Sequence, residues 1–169
     1  MNIVLFLLMP LLSIAQKDDS KAMLYKKCYE YIVDDQQLNK NQLIVSDTII
    51  YVERIFFHEV FKKTDESMED YLSRIDSVDN DKFYSSYYSP LLDSLFHKKN
   101  KHVCRKEPFH ILYFSRISDN LLFAELVYIK KYVSLSHYIC TFLNSTYTYL
   151  FILDEDLSIQ KVFKIEIFS

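Results

Sequence analysis

The sequence predicts an α+β fold in which N-terminal helices pack on a C-terminal antiparallel β-meander of about four to five strands. Three observations predict it. Apolar residues recur at helical spacing through the N-terminal part of the chain. From Phe109 onward, five β-rich runs follow one another: "FHILYFSRI", "LLFAELVYIKKYV", "HYICTFLN", "YTYLFILD" and "SIQKVFKIEIF". The links between them, "SDN", "SLS", "NST" and "DED", are too short for crossovers, so consecutive strands are expected as antiparallel neighbours. Helices first and a meander after is the α+β order, with the helices on one sheet face.

Taken in order, the chain opens on a leader. Residues 3–12 are all apolar, with Pro10 bending the run, and Asp18 and Asp19 soon follow. Such a core is shorter than the roughly 20 residues a membrane-spanning helix needs. It matches the apolar region of a secretory signal, and Ser13-Ile14-Ala15 supplies the small residues of a cleavage site after Ala15. The region before it carries no Lys or Arg, and the first cysteine is Cys28, so no lipid anchor is indicated. The alternative is an N-terminal helix built into the fold. On the signal-peptide reading, 16–169 forms a single domain with its helical part at about 18–98 and its meander at about 109–168.

Residues 18–37 read as a helix with Leu24, Cys28, Tyr31 and Ile32 on one stripe, and Cys28 as a buried small hydrophobe. The stretch 43–63 starts β-branched and aromatic, which suggests an extended segment to about 52 and then a short helix to about 62. Met68, Leu72 and Ile75 suggest a helix over 65–76. Ser89 followed by Pro90 is a helix start, because the proline's missing N–H is an orphan donor at that position anyway. That helix is expected to end near His97, ahead of a basic loop closed by Pro108.

Two absences bound the chemistry. The chain has no Gly and no Trp. Phosphate-cradling loops, dinucleotide fingerprints and the nucleophile elbow need glycine where backbone approaches a ligand or takes positive φ, so their usual forms are excluded. Without glycine, turns fall to Asn, Asp and Ser. A net charge of −3 gives no field toward nucleic acid. No second long apolar stretch exists, so no stable membrane insertion is expected after cleavage. No cofactor is indicated, and the expected partner is a protein or a component of the cell envelope. The residues leave oligomeric state open.

Glu125 is the single charge in a run, 121–129, that is apolar on both alternating faces. With Asp119-Asn120 as a two-residue turn, Phe114 would lie opposite Glu125 and Arg116 diagonally on the same face. The residues allow a carboxylate of raised proton affinity lining a pocket, or an ion pair with Arg116 or a lysine, which the pattern favours. His110 and His137 could join Glu125 on the sheet in acid–base work. Phe83, Tyr84, Tyr87 and Tyr88 group before a helix and offer a contact surface for a partner, or a core under a loop. Of the three cysteines, Cys104 sits among Lys101, His102, Arg105 and Lys106, which favour a thiolate. The odd count allows one disulfide, with Cys104 and Cys140 the candidates for reactive or bridged positions, or none. His58-Glu59 fails as a zinc motif because Lys62 stands where a second His is needed. The acidic stretches "DSVDND" and "DED" lack the glycine and closing Glu of a calcium loop and read as solvated turns.

The "SIAQ" leader end, the Lys-, Tyr-, Phe- and Ile-rich composition, and "FHILYFSRISDNLLFAELVYI" opening the meander together resemble small secreted proteins of the Bacteroidota. That resemblance implies a periplasmic or exported location and supplies no active site. In element order alone the chain is similar to cone-shaped domains of the nuclear-transport-factor-2 type, which implies helices against a curved sheet and, in many such domains, a ligand pocket.

Overall fold

The computed structural model describes residues 4–52, 54–79, 86–101, 108–129 and 146–167. Helix α1 (Val4–Asp35) is followed by strand β1 (Leu43–Ile50), and a 3-10 turn at Arg54–Phe57 leads into α2 (His58–Phe61). Then come α3 (Met68–Asp79), a two-residue strand β2 (Tyr87–Tyr88) and α4 (Pro90–Asn100). Four strands close the described chain: β3 (Phe109–Ser115), β4 (Leu121–Ile129), β5 (Thr146–Leu153) and β6 (Ile159–Ile167). The fold is α+β. The expected run "HYICTFLN", with Cys140 and His137, lies outside the described residues.

All six strands form one sheet in the order β2-β1-β3-β4-β5-β6. The meander is present as β3 to β6, each antiparallel to the next. Two strands from the helical half extend it. β1 lies parallel to β3, with Leu43 beside His110 and Val45 beside Leu112, and β2 pairs antiparallel on the far side of β1. The sheet is therefore mixed rather than a pure meander. A parallel neighbour requires a long crossover, and the segment holding α2, α3 and α4 supplies one.

Helices cover both faces rather than one. Along β4 the even positions Leu122, Ala124 and Leu126 join Phe114, Tyr149 and Phe151 beneath α1 and α4. The odd position Phe123 packs with Leu150, Val52 and Phe57, flanked by Phe56, Val60 and Phe61 from the α2 region. This accounts for the double-sided apolar pattern of β4. On α1, Leu24, Cys28 and Ile32 are buried as their spacing requires, together with Tyr25, Tyr29 and Val33. Tyr31 is 41% exposed, so the buried stripe turns toward Tyr25 and Tyr29 instead. Tyr31 rests edge-on against Tyr149 and Phe151. Cys28 is a buried free thiol, pushed up to about 12 by burial.

Ser89 caps α4, accepting a hydrogen bond from the Leu92 N–H at 3.3 Å, with Pro90 opening the helix. The helix runs past His97 to Asn100, and its C-terminus closes the open side of β1. The Asn100 amide pairs with Val45 as a strand residue would: Val45 N–H donates to Asn100 Oδ1 at 3.0 Å, and Asn100 Nδ2 donates to the Val45 carbonyl at 2.6 Å. Lys99 Nζ donates to the Leu43 carbonyl at 3.0 Å, and Ser89 N–H to the Asp47 carbonyl at 2.7 Å. An edge whose backbone groups are satisfied in this way is a poor template for another chain.

A candidate binding cleft at one end of the sheet

The turns β3–β4 and β5–β6 lie at the same end of the meander. Asp119 and Asn120 take φ of 54° and 58°, between Ser118 and Leu121 that pair with each other. This is the left-handed two-residue hairpin turn, here built from the residues that tolerate it best after glycine. Beyond the turn, β3 holds one more residue than β4 before regular pairing begins. The register therefore becomes Tyr113 opposite Glu125 and Phe114 opposite Ala124. Ser115 serves this irregularity: its Oγ accepts from Phe123 N–H at 2.9 Å and donates to the Arg116 carbonyl at 2.9 Å.

In the β5–β6 turn, Asp154 Oδ1 accepts from the N–H groups of Asp156 (3.0 Å) and Ser158 (2.7 Å). Leu157 sits at φ 60°, a conformation that costs a branched residue on the order of 1–2 kcal/mol, and its side chain packs against the core beneath α1. The Leu153 N–H donates to the Asn120 carbonyl at 2.8 Å and ties the two turns together. Arg54 holds the hairpin from the other side through an ion pair with Asp119 at 3.2 Å.

These turns form one side of a cleft of about 820 Å³, a size suited to a small molecule or a few residues of a partner. α1 contributes Ser20, Lys21 and Tyr25, and the β2–α4 junction contributes Tyr87 and Tyr88. The hairpin supplies Arg116 and its neighbours, and the β5–β6 turn supplies Glu155, Asp156 and Leu157. Tyr25 forms the floor: its ring meets Phe114 edge-on, its hydroxyl donates to the Ser115 carbonyl at 3.1 Å, and burial holds that hydroxyl well above its usual range. By contrast Tyr87 and Tyr88 are 46% and 57% exposed. The Tyr88 hydroxyl donates to Asp93 Oδ2 at 2.7 Å, which orients that ring against the start of α4.

The candidates from the sequence separate into two places. Tyr87, Tyr88 and Arg116 come together in the cleft. Glu125 does not join them. The shifted register puts it beside Tyr113 and Thr148, with the parity of Phe123 and Val127, on the face away from α1. The expected Glu125–Arg116 pairing is thereby corrected, because the extra residue in β3 sends the two side chains to opposite faces. Burial raises the proton affinity of Glu125, and burial together with its charge pushes the Tyr113 hydroxyl up to about 12. His110 stacks at a tilt on Tyr128, ring centroids 5.1 Å apart, and burial lowers its basicity. It shares the parity of Leu112 and Phe114, so it too faces away from Glu125. His137, Phe83, Tyr84, Cys104 and Cys140 lie outside the described residues.

Sequence reasoning missed Tyr25, and it assigned Glu155 and Asp156 to a solvated turn with no further role. The sequence carried no signal for this: with five runs and four links, alternation puts "SDN" and "DED" at opposite ends, whereas the direct pairing of β4 with β5 brings them to one end. Among the described residues no group of three or more His, Cys, Asp or Glu side chains could hold a metal ion, and no helix is long and apolar enough to cross a membrane.

The fold and this cleft define a small α+β protein with an open cleft of mixed polar and apolar lining. No protein-family model, no curated protein and no solved structure matches the chain, those of the nuclear-transport-factor-2 type included.

Proposed function

We propose that the protein is a non-catalytic binding domain working outside the cytoplasm, which recognises a protein or cell-envelope partner through the cleft bearing Tyr87 and Tyr88. The observation that carries this reading is the pair of large aromatic side chains left exposed at the mouth of a cleft. Tyrosine combines a broad apolar ring with a polar tip and few rotamers to freeze, so it binds partners at low entropic cost. The leader with its Ser13-Ile14-Ala15 end supports the location. Leu24, the first described buried side chain of α1, lies well beyond Ala15, so cleavage there leaves the packed stripe in place.

The test places a photo-crosslinking amino acid at Tyr87 in the native host, with exposed Glu69 on α3 as the control position. One adduct is expected from position 87 and none from 69, on a protein whose N-terminal peptide begins at Gln16. Replacing both Tyr87 and Tyr88 by Ala is expected to weaken that partner by at least about tenfold, the scale of a hot-spot loss. Equal adducts at both positions, or unchanged affinity in the double variant, would overturn the proposal.

A second reading, a small-molecule-binding or hydrolytic site on Glu125, is supported by one observation: a carboxyl of raised proton affinity beside Tyr113. Glu125→Gln separates the two. On the binding-domain reading it leaves partner affinity unchanged, and on the Glu125 reading it abolishes ligand binding or turnover. Stability gives an independent check. A carboxyl whose folded pKa is raised favours the fold most at low pH, and that contribution is lost as pH rises above the ordinary Glu value of about 4.3. The Gln variant is therefore expected to equal or exceed the parent in urea midpoint at neutral pH.

A further inference from the structure

Resting on the cleft as the binding site, its charges specify what it takes. Arg116 is exposed and, among the described residues, has no ion pair. Its nearest acidic competitor in the hairpin, Asp119, is already neutralised by Arg54 at 3.2 Å. On the neighbouring β5–β6 turn, Glu155 and Asp156 are exposed, and among the described residues their carboxylates have no hydrogen-bond partner. The neighbouring Asp154 holds the turn together: its carboxylate accepts from the Asp156 and Ser158 N–H groups, its own N–H donates to the Ser158 carbonyl, and its carbonyl accepts from the Leu157 N–H. The two carboxylates are thus not needed for the turn's geometry. Beside Lys21 of α1, the cleft lining therefore presents Arg116 on the β3–β4 turn without an ion pair among the described residues, two carboxylates on the β5–β6 turn, and the exposed Tyr87 and Tyr88.

A purely anionic ligand would meet Glu155 and Asp156, and a purely cationic one would meet Arg116. A neutral ligand would leave all three charges without a partner. A ligand with both signs satisfies both turns, and a polypeptide carries both on neighbouring side chains at low cost in size. We infer that the cleft takes a short polypeptide segment of its partner bearing one acidic and one basic side chain around an apolar residue. The acidic group pairs with Arg116, whose planar fork suits a carboxylate. The basic group pairs with Glu155 and Asp156, and the apolar residue lies on the tyrosines.

The test uses capped tripeptides, so that only side-chain charges differ, titrated into the purified protein and followed by NMR shifts of cleft residues. Ac-Glu-Leu-Lys-NH2 or its reversed-order counterpart Ac-Lys-Leu-Glu-NH2 is expected to bind at least about tenfold more tightly than peptides with Gln in place of either charged residue. Arg116→Gln should erase the advantage of the acidic residue and leave that of the lysine. Glu155→Gln with Asp156→Asn should do the reverse. Equal binding of the doubly charged and the all-Gln peptides, still lost in the Tyr87/Tyr88 variant, would overturn the charge assignment while leaving the cleft as the binding site. Binding of chitotriose or of phosphatidylglycerol vesicles at the cleft, with no peptide bound, would overturn the polypeptide assignment. Peptide binding that moves only residues distant from the cleft would overturn this inference and the site together.

Discussion

Phe114→Ala is expected to cost about 3–5 kcal/mol of stability, the range for deleting a fully buried aromatic ring. Phe114 is completely buried on β3, a central strand of the sheet, with α1 over it and Ala124 opposite. Alanine at both positions would leave a void directly under Tyr25, whose ring now meets Phe114 edge-on at 5.3 Å. Neighbours could collapse into that void only by moving α1, and α1 is fixed at its other end by bonds to β5 and β6. The loss is large against a typical total of about 5–15 kcal/mol. It should appear as a lower urea midpoint at unchanged m-value. Phe114→Leu keeps most of the volume and is expected to lose less than half as much. A loss under about 1 kcal/mol for the Ala variant would mean that the core does not close on this ring. The substitution also reaches the cleft, since Tyr25 is its floor. The Ala variant should bind the partner less well even under conditions where it remains folded.

The elements most legible in the sequence are those whose signal is local. Ser89-Pro90 marked the start of α4 because both residues act within one turn, and Asp119-Asn120 marked the hairpin because only such residues take positive φ readily in a chain without glycine. The double-sided apolar pattern of 121–129 suggests a strand covered on both faces, and β4 is one. What failed was non-local. The parallel placement of β1 against β3 depends on a crossover of three helices, and no residue in β1 encodes its neighbour. The Glu125 register failed by a single residue. The turn was read correctly, but an irregularity at residues 116–117, served by the Ser115 hydroxyl, shifted every later pair and reversed which side chains share a face. The cleft was half legible for the same reason. Its tyrosines could be picked out by composition, whereas Arg116, Glu155 and Tyr25 meet there only because two turns of the sheet and the middle of α1 come together.

The second large effect concerns the far end of α1, where Asp35 acts as a clamp. A single carboxylate oxygen, Oδ2, accepts from Tyr149 Oη at 2.8 Å, from Lys164 Nζ at 2.9 Å and from Gln36 Nε2 at 2.7 Å. It thus joins the helix end to β5 and β6 at once. Asp35→Ala is expected to cost about 1–3 kcal/mol, chiefly because the hydroxyl of the buried Tyr149 loses its acceptor. The Lys164 part is expected to be the smaller, since that side chain is 41% exposed and an exposed pair contributes roughly 0–1 kcal/mol. The pH dependence follows from two opposed influences on the carboxyl. Burial acts to raise its pKa, but the hydrogen bonds from Lys164, Tyr149 and Gln36 and the Lys164 charge outweigh burial and hold it below the usual carboxylate range. A depressed folded pKa means that the carboxylate's contribution is complete above the unfolded value of about 3.9 and is lost as pH falls through the lower folded one. The gap between parent and Asp35→Ala should therefore be constant from pH 7 to about 5 and shrink below about 4. Tyr149→Phe removes the donor while keeping the ring stacked on Phe151. In a double-mutant cycle with Asp35→Ala the two losses should be clearly less than additive, because each variant breaks the same bond. Additive losses, or a gap that persists unchanged at pH 2.5, would place the stabilisation in the packing of the α1 C-terminus and not in the ionised Asp35 carboxylate.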